Sequence, residues 1–360
     1  MSTKDVPKAT VTKIDVPARA RVGALTRAPN GRIYAAAGAE VLLSDDDGRT
    51  FRACASVPGS QPLFGGHVDG DLLYVVGGNG AISRSDDGGV SFVRLRTEPG
   101  RMLFRIRRGP DGALWACGDG ERLFRSTDGV SFEVPEGRSE AGGRERYLDF
   151  AFEGGALLVL GSSGRIRRVR GAEEQVLSLF ANKAGRALPL TRLLVLDGGA
   201  WLVLGDGGAV FRSDDRGQTF QRVPLPVACD VEDGVVTSRG VLLVGSGGAV
   251  LYSSGEGRSF SGVASGLDTH LWSVLGLEHG VVLLAGEGGL LARLELSATE
   301  TLGVPAEADA SADVLGAEPD AAEQDEDEDG DEAAEEEDEH EGGEEPVATT
   351  FASVEEASAR

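Results

Sequence analysis

The chain has 360 residues and a formal charge of −24, and that charge is unevenly placed: residues 304–360 hold 23 of the 59 acids and a single base, Arg360. The remaining 303 residues balance 36 acids against 34 bases, so neither part carries the positive footprint that phosphate backbones require, and no nucleic-acid partner is expected. Apolar runs such as Ala156 to Leu160 end after five or six residues, far short of the roughly 20 that cross a bilayer, and the start from Met1 to Pro7 lacks the apolar core of a secretory signal. No transmembrane segment and a cytoplasmic address are therefore expected.

In chain order, residues 1–9 read as a short extension, and Thr10 to Val16 alternates as a strand does. Seven repeats follow, beginning at Gly31, Gly70, Gly112, Gly155, Gly199, Gly240 and Gly280, with starts 39, 42, 43, 44, 41 and 40 residues apart. Each runs from a glycine through a short apolar strand and a glycine-rich turn into a second strand that ends in polar residues. A period near 42 without helical periodicity is the length of one four-stranded propeller blade. In the fifth repeat, Leu190 to Leu196 reads as inner strand A, Ala200 to Leu204 as B, Ala209 to Ser213 as C and Phe220 to Val223 as outer strand D. Gly205 to Gly208 supplies the positive φ that a tight B–C hairpin needs. The B strands are almost wholly apolar, as strands covered on both faces should be.

Repeat seven supplies A, B and C over 271–296 but no D strand, and the unpaired strand at Thr10 to Val16 fills that place. The ring then closes without a free edge. The predicted fold is all-β: a seven-bladed β-propeller over residues 10–303, closed by an N-terminal strand. The acidic tail, 304–360, is expected to be disordered, because the nearly continuous charge from Glu323 to Glu345 cannot bury enough surface to fold.

Between strands C and D recurs an octet, Ser-x-Asp-x-Gly-x-Thr/Ser-Phe. It is complete at Ser44, Asp46, Gly48 and Phe51, at Ser85, Asp87, Gly89 and Phe92, and at Ser213, Asp215, Gly217 and Phe220. Repeat three, with Asp128 and Phe132, is one residue short; repeat six has Gly255 in place of the aspartate, and repeat four has lost the octet. The pattern predicts a self-capped turn in which Asp accepts from its own backbone, Gly turns left-handed and Phe packs between blades. A calcium role would call for an EF-hand register or a Gly-Gly-x-Gly-x-Asp array, and neither occurs. No metal or cofactor is expected.

With its G-x-G-G/A approach, the octet resembles the Asp-box (BNR) repeats of sialidases, xyloglucanase-type glycosidases, sortilin-like receptors and the photosystem II stability/assembly factor family. The run from Val76 to Gly89 is particularly similar to the last of these. Phe stands where Trp commonly ends the motif. The resemblance implies a seven-bladed, non-enzymatic scaffold that helps assemble a membrane complex. The fold alone does not fix the task.

The B–C turns, at 77–80, 118–121, 161–164, 205–208, 245–248 and 286–289, are minimal and leave little material for a pocket. The competing reading is a glycan-directed hydrolase or lectin, with Tyr147 on an inner strand and a carboxylate pair drawn from Asp119, Glu121, Asp149, Asp206 and Glu287. Phe104 to Arg107 resembles the sialidase arginine motif but sits in the third repeat and lacks its proline. Tyr34, Tyr74, Tyr252, Trp115 and Trp201 are expected in the core, and Trp272 in the core or at the channel mouth. Cys54, Cys117 and Cys229 read as small buried hydrophobes. His67, His270, His279 and His340 are too dispersed to form a metal or nucleophile constellation.

Residues 101–170 carry 13 arginines against 10 acids. Arg101, Arg105, Arg107, Arg108, Arg144, Arg146, Arg165, Arg167, Arg168 and Arg170 are either solvated strand edges or a planar-donor patch for an acidic protein partner. Repeat four, Arg165 to Arg170, is the preferred contact. The tail would modulate such binding by resting on the chain's own arginine patch, or would itself meet a basic partner. Residues 347–360 regain Phe351 and Val354 and read as a docking peptide. The leading reading is a non-enzymatic interaction or assembly platform.

Overall fold

The computed structural model describes residues 8–17, 20–59, 62–136, 143–171, 173–180 and 188–297. The readings made above for residues 304–360 lie outside these. The described chain forms seven antiparallel sheets. Their inner strands A are Val22–Arg27, Leu63–Asp69, Leu103–Arg108, Tyr147–Glu153, Leu190–Val195, Val231–Thr237 and Leu271–Gly276. Each lies beside the next, and the seventh beside the first, so they ring a central channel. Apart from single turns of 3-10 helix, every regular element among the described residues is a strand, and no helix is long and apolar enough to cross a membrane.

Closure follows the expected route. Strand Ala9–Ile14 pairs antiparallel with Leu291–Leu296, from Ala9 opposite Leu296 to Ile14 opposite Leu291. The strand is the fourth of the seventh sheet. Strands B are buried along their length, as in Ile33–Ala37, Ala156–Gly161 and Trp201–Gly205, because apolar side chains on both faces meet the neighbouring blades. The seam between the first and last blades packs Ile33, Leu42 and Phe51 against Leu283 and Leu291. Burying each such side chain contributes about 1.5–3 kcal/mol.

Blade three departs from the pattern. It has three strands, Leu103–Arg108, Leu114–Gly118 and Arg122–Ser126, and its D strand is reduced to one bridge between Arg125 and Glu133. Its turn is the shortened one, and Pro135 follows without an N–H to extend a ladder. Blade four, without an octet, turns instead through Gly171 (φ +58°) into a long outer strand, Glu173–Leu179.

Candidate functional site

The octets are built as their sequence demands. In blade two, Ser85 Oγ donates to Asp87 Oδ1 (2.7 Å) and accepts from Gly89 N (2.8 Å), while Asp87 accepts from Ser91 N (2.9 Å) and Ser91 Oγ (2.6 Å). Blades one and five repeat these bonds with Ser44, Asp46 and Thr50 and with Ser213, Asp215 and Thr219. The short turn keeps Ser126 donating to Asp128 (2.9 Å), and blade six keeps only the serine, Ser253 accepting from Gly257 N (3.0 Å). At Gly217, φ is +83° and an added Cβ would stand 2.2 Å from the Trp201 ring, so glycine is required both by conformation and by space. Phe51 and Phe132 are buried, whereas Phe92 and Phe220 are half-buried. The hydroxyls of Ser91 and Thr219 hold the Asp87 and Asp215 carboxyls down at about 2. These carboxylates are engaged by their own turns.

The channel holds a feature that the octets do not announce. Every strand A slips register at the same place, and the residues just past the slip are Ala24, Gly65, Arg105, Asp149, Arg192, Asp233 and Ser273. Bulges re-aim side chains. The result is one layer that alternates Arg, Asp, Arg, Asp across blades three to six and carries small residues on blades seven, one and two. Asp149 Oδ1 lies 2.7 Å from Arg107 Nη2 and 3.6 Å from Arg105 Nε; Asp149 Oδ2 lies 3.6 Å from Arg192 Nε and accepts from Leu193 N at 3.0 Å. Asp233 Oδ1 lies 2.8 Å from Arg192 Nε, and its Oδ2 accepts from Ser273 Oγ and Val274 N, both at 3.1 Å. Burial pushes the Asp149 carboxyl up, but Arg107, Arg192 and Arg105 outweigh it and hold the pKa below the usual carboxylate range.

A cavity of about 370 Å³ lies in the channel, bounded by Thr26, Gly66, His67, Arg105, Arg192 and Trp272 among others. Burial, then the charge of Arg108, lowers the His67 pKa to about 4, so its ring is neutral at pH 7. Beside the cavity, Phe64 and Phe104 meet at 5.7 Å, and Arg21 lies 5.4 Å over Phe64 and 4.4 Å over Trp272. His270 stacks on Trp272 at 4.0 Å, with its Nε2 3.0 Å from Glu232. A second hollow, about 780 Å³, lies between blades three and four beside the reduced outer strand, walled by Trp115, Leu123, Phe152 and Leu157.

The ten arginines fall into separate environments. Arg105 and Arg107 face the channel layer. Arg108 pairs with Asp69 at the other end of that strand. Arg167 is buried against Glu145, 2.9 Å from Glu174 and 5.6 Å over the Tyr147 ring, and Arg168 reaches Glu153 at 3.5 Å. Arg170 is exposed, with Glu173 as its cross-strand neighbour. Arg101, Arg144, Arg146 and Arg165 share the rim formed by the B–C and D–A turns. There Arg101 lies against the Gly120 turn, Arg146 pairs with Asp119 at 2.9 Å, and Arg165 donates to Ser163 Oγ at 3.1 Å. The turn is tied to Arg144's segment by Glu121 N donating to Glu145 O at 2.7 Å.

Tyr147 is buried at 1% exposure and Asp149 at 0%. Of the other carboxylates, Asp119 accepts from Met102 N at 2.9 Å, and Asp206 is raised by burial and by Asp230. Trp201 is core, Trp115 is half-buried edge-on to Phe152, and Trp272 lines the channel. Cys117 is buried, and burial pushes its thiol up to about 12; Cys229 is buried and Cys54 half-buried. The sequence reading had no place for Arg192, Asp233 and Ser273. Stacking the seven A strands at the repeat period brings them into one column with Arg105 and Asp149, which is the signal that could have found them.

The architecture and closure define the class: a seven-bladed β-propeller. No family model matches the sequence, and no curated protein matches it. Among solved structures, it is similar to YCF48 bound to D1 peptide, at 14% identity and a TM-score of 0.64 over 81% of this chain and 98% of that one. It is also similar to the WD40 β-propeller domain of Doa1 (15%, 0.63, 81% and 98%) and to streptogramin B lyase (13%, 0.62, 80% and 98%). At such identities the likeness establishes the fold alone.

Proposed function

We propose that this chain is an Asp-box propeller serving as a non-enzymatic protein-interaction or assembly platform, and that it meets an acidic protein segment on the rim of blades three and four. The observation that carries the reading is the gathering of Arg101, Arg144, Arg146 and Arg165 on that rim. Asp119 and Glu121 are the local acids there, and Glu145 is matched by buried Arg167. Among the described residues just named, four guanidiniums face two unmatched acids, Arg144 and Arg146 exposed and Arg101 and Arg165 half-buried, and guanidiniums pair with carboxylates in planar, two-point fashion. The Arg165 to Arg170 strand contributes less than its sequence implies, because the outer strand sets Glu173 and Glu174 along it. A structural neighbour, YCF48, has been solved bound to a D1 peptide, which supports peptide recognition on this fold. Of the carboxylates offered above for a glycosidase, Asp149 is buried and ion-paired and Asp119 is engaged by Arg146 and Met102 N, which counts against their use in catalysis.

Residues 304–360 enter the proposal through charge alone, as a modulator that competes for the same rim, and the cytoplasm remains the proposed compartment. The test is capture of partners from the native cell at two salt concentrations. The baits are the full chain, a variant with Arg101, Arg144, Arg146 and Arg165 all changed to Glu, and residues 1–303. Charge reversal should cut capture at least tenfold, high salt should weaken it, and removal of the tail should strengthen it at low salt. Capture that survives charge reversal would refute the rim, and turnover on a fluorogenic glycoside panel would replace the reading with a glycosidase.

A further inference from the structure

Arg105 is the surplus cation of the channel layer. Asp149 is matched by Arg107 at 2.7 Å and Asp233 by Arg192 at 2.8 Å. Arg105 comes no closer than 3.6 Å to Asp149 and otherwise donates to the carbonyls of Phe64 (3.3 Å) and Phe104 (3.1 Å); its Nε makes no hydrogen bond. Counting Arg107, which reaches Asp149 from two residues further along its strand, three guanidiniums stand against the two carboxylates of the layer, one positive charge in excess. His67, the titratable side chain facing it from blade two, is neutral. A guanidinium held there with only a shared, longer contact to a carboxylate already paired with Arg107 is costly, and an incoming anion offsets the cost.

On blades two, one and seven the same layer consists of Gly65, Ala24 and Ser273, with Gly65 immediately beside Arg105, and these small residues line the cavity of about 370 Å³. That is within the size range of small-molecule sites. Leu25, Phe64, Val235 and Leu275 give it apolar walls, while His67 Nε2 and Trp272 Nε1, on two of its lining residues, are buried without hydrogen bonds. The side chains of Arg105 and Arg192 keep 20% and 18% exposure, so the site communicates with solvent.

We propose that the channel binds a small monocarboxylate with an apolar body, its carboxylate on Arg105. The planar guanidinium fits a carboxylate edge-on. One negative charge neutralises the layer, whereas a dianion such as sulfate would overshoot it beside Asp149 and Asp233. This site is distinct from the rim and does not depend on the rim reading.

Calorimetric titration of the full chain with butyrate, benzoate and phenylacetate tests it, with benzyl alcohol and sulfate as controls. At least one acid should bind with a Kd of about 1 mM or tighter, the controls at least tenfold more weakly. Arg105→Gln should lose at least tenfold, and Arg52→Gln, on the outer strand Arg52–Ser56 of blade one, should lose nothing. Gly66→Leu provides a second route. An added Cβ there meets Thr26 Cγ2 and Tyr74 O at 3.5 Å, ordinary contact with no ion-pair atom among its nearest neighbours, so a larger side chain on this stretch of the cavity wall should also weaken binding at least tenfold. Thermal melts establish that each variant is folded, and if Arg105→Gln is not, Gly66→Leu decides. No binding by any acid, equal binding by either control, or binding retained in folded Gly66→Leu would overturn the proposal.

Discussion

Ser85 shows how much one small side chain does in this fold. Its hydroxyl is 1% exposed, accepts from Gly89 N and donates to Asp87. In Ser85→Ala, a buried N–H loses its acceptor, a cost of about 1–2 kcal/mol, to be read from urea denaturation. The aspartates of these turns give a pH signature. Asp87 and Asp215 lie at about 2 in the fold against 3.8 as free groups. A depressed carboxyl stabilises fully above its unfolded pKa, and the contribution fades as pH falls through the folded one. Thermal midpoints should therefore hold down to about pH 4 and drop between pH 4 and 2. The drop is small per turn because the groups are exposed and screened. The double variant Asp87→Asn, Asp215→Asn should flatten it, and an unchanged slope would refute the assignment.

Strand Ala9–Ile14 is the element on which the ring depends. Without it, Leu291–Leu296 becomes an open edge, and Leu294 and Leu296 lose the cover of Val11 and Ala9. Such an edge invites pairing with another chain. A chain beginning at residue 17 should melt well below the full protein and form concentration-dependent aggregates in light scattering; a monodisperse product of unchanged melting temperature would mean that the closing strand is dispensable. Blade three shows that a missing outer strand can be tolerated: its edge is flanked by blade four and by the Arg125–Glu133 bridge, whereas the edge of the last blade would lie at the seam.

Across the whole molecule, the ion pairs of the channel couple blades three to six, with Ser273 of blade seven joined by a hydrogen bond, and their two signs have unequal consequences. Asp149→Asn leaves Arg105, Arg107 and Arg192 facing the single carboxylate of Asp233, and should destabilise by about 3–5 kcal/mol. Arg105→Gln removes the excess charge and should leave stability unchanged or raise it. Denaturant midpoints for the pair of variants check both signs, and a large loss in Arg105→Gln would show that the cation is structurally matched after all.

The blade count, the ring closure by the N-terminal strand and the octet turns were legible in the residues because each is encoded locally. Glycines mark turns at a fixed period, apolar runs mark covered strands, and Ser, Asp and Gly at set offsets satisfy one another within eight positions. The destinations of Arg105, Arg107, Arg167 and Arg168 were not legible, since their acids, Asp149, Glu145, Glu174 and Glu153, come from other strands or blades and an arginine in sequence carries no sign of its partner. Nor was the reduced outer strand of blade three, where a turn one residue short and a proline together decide how far a ladder runs. Aligning the repeats shows which A-strand residues share a position, but only the tertiary structure decided that they form one charged layer in the channel, because a side chain's layer depends on where seven separate backbones slip by one residue, and that is fixed only when the sheets pack.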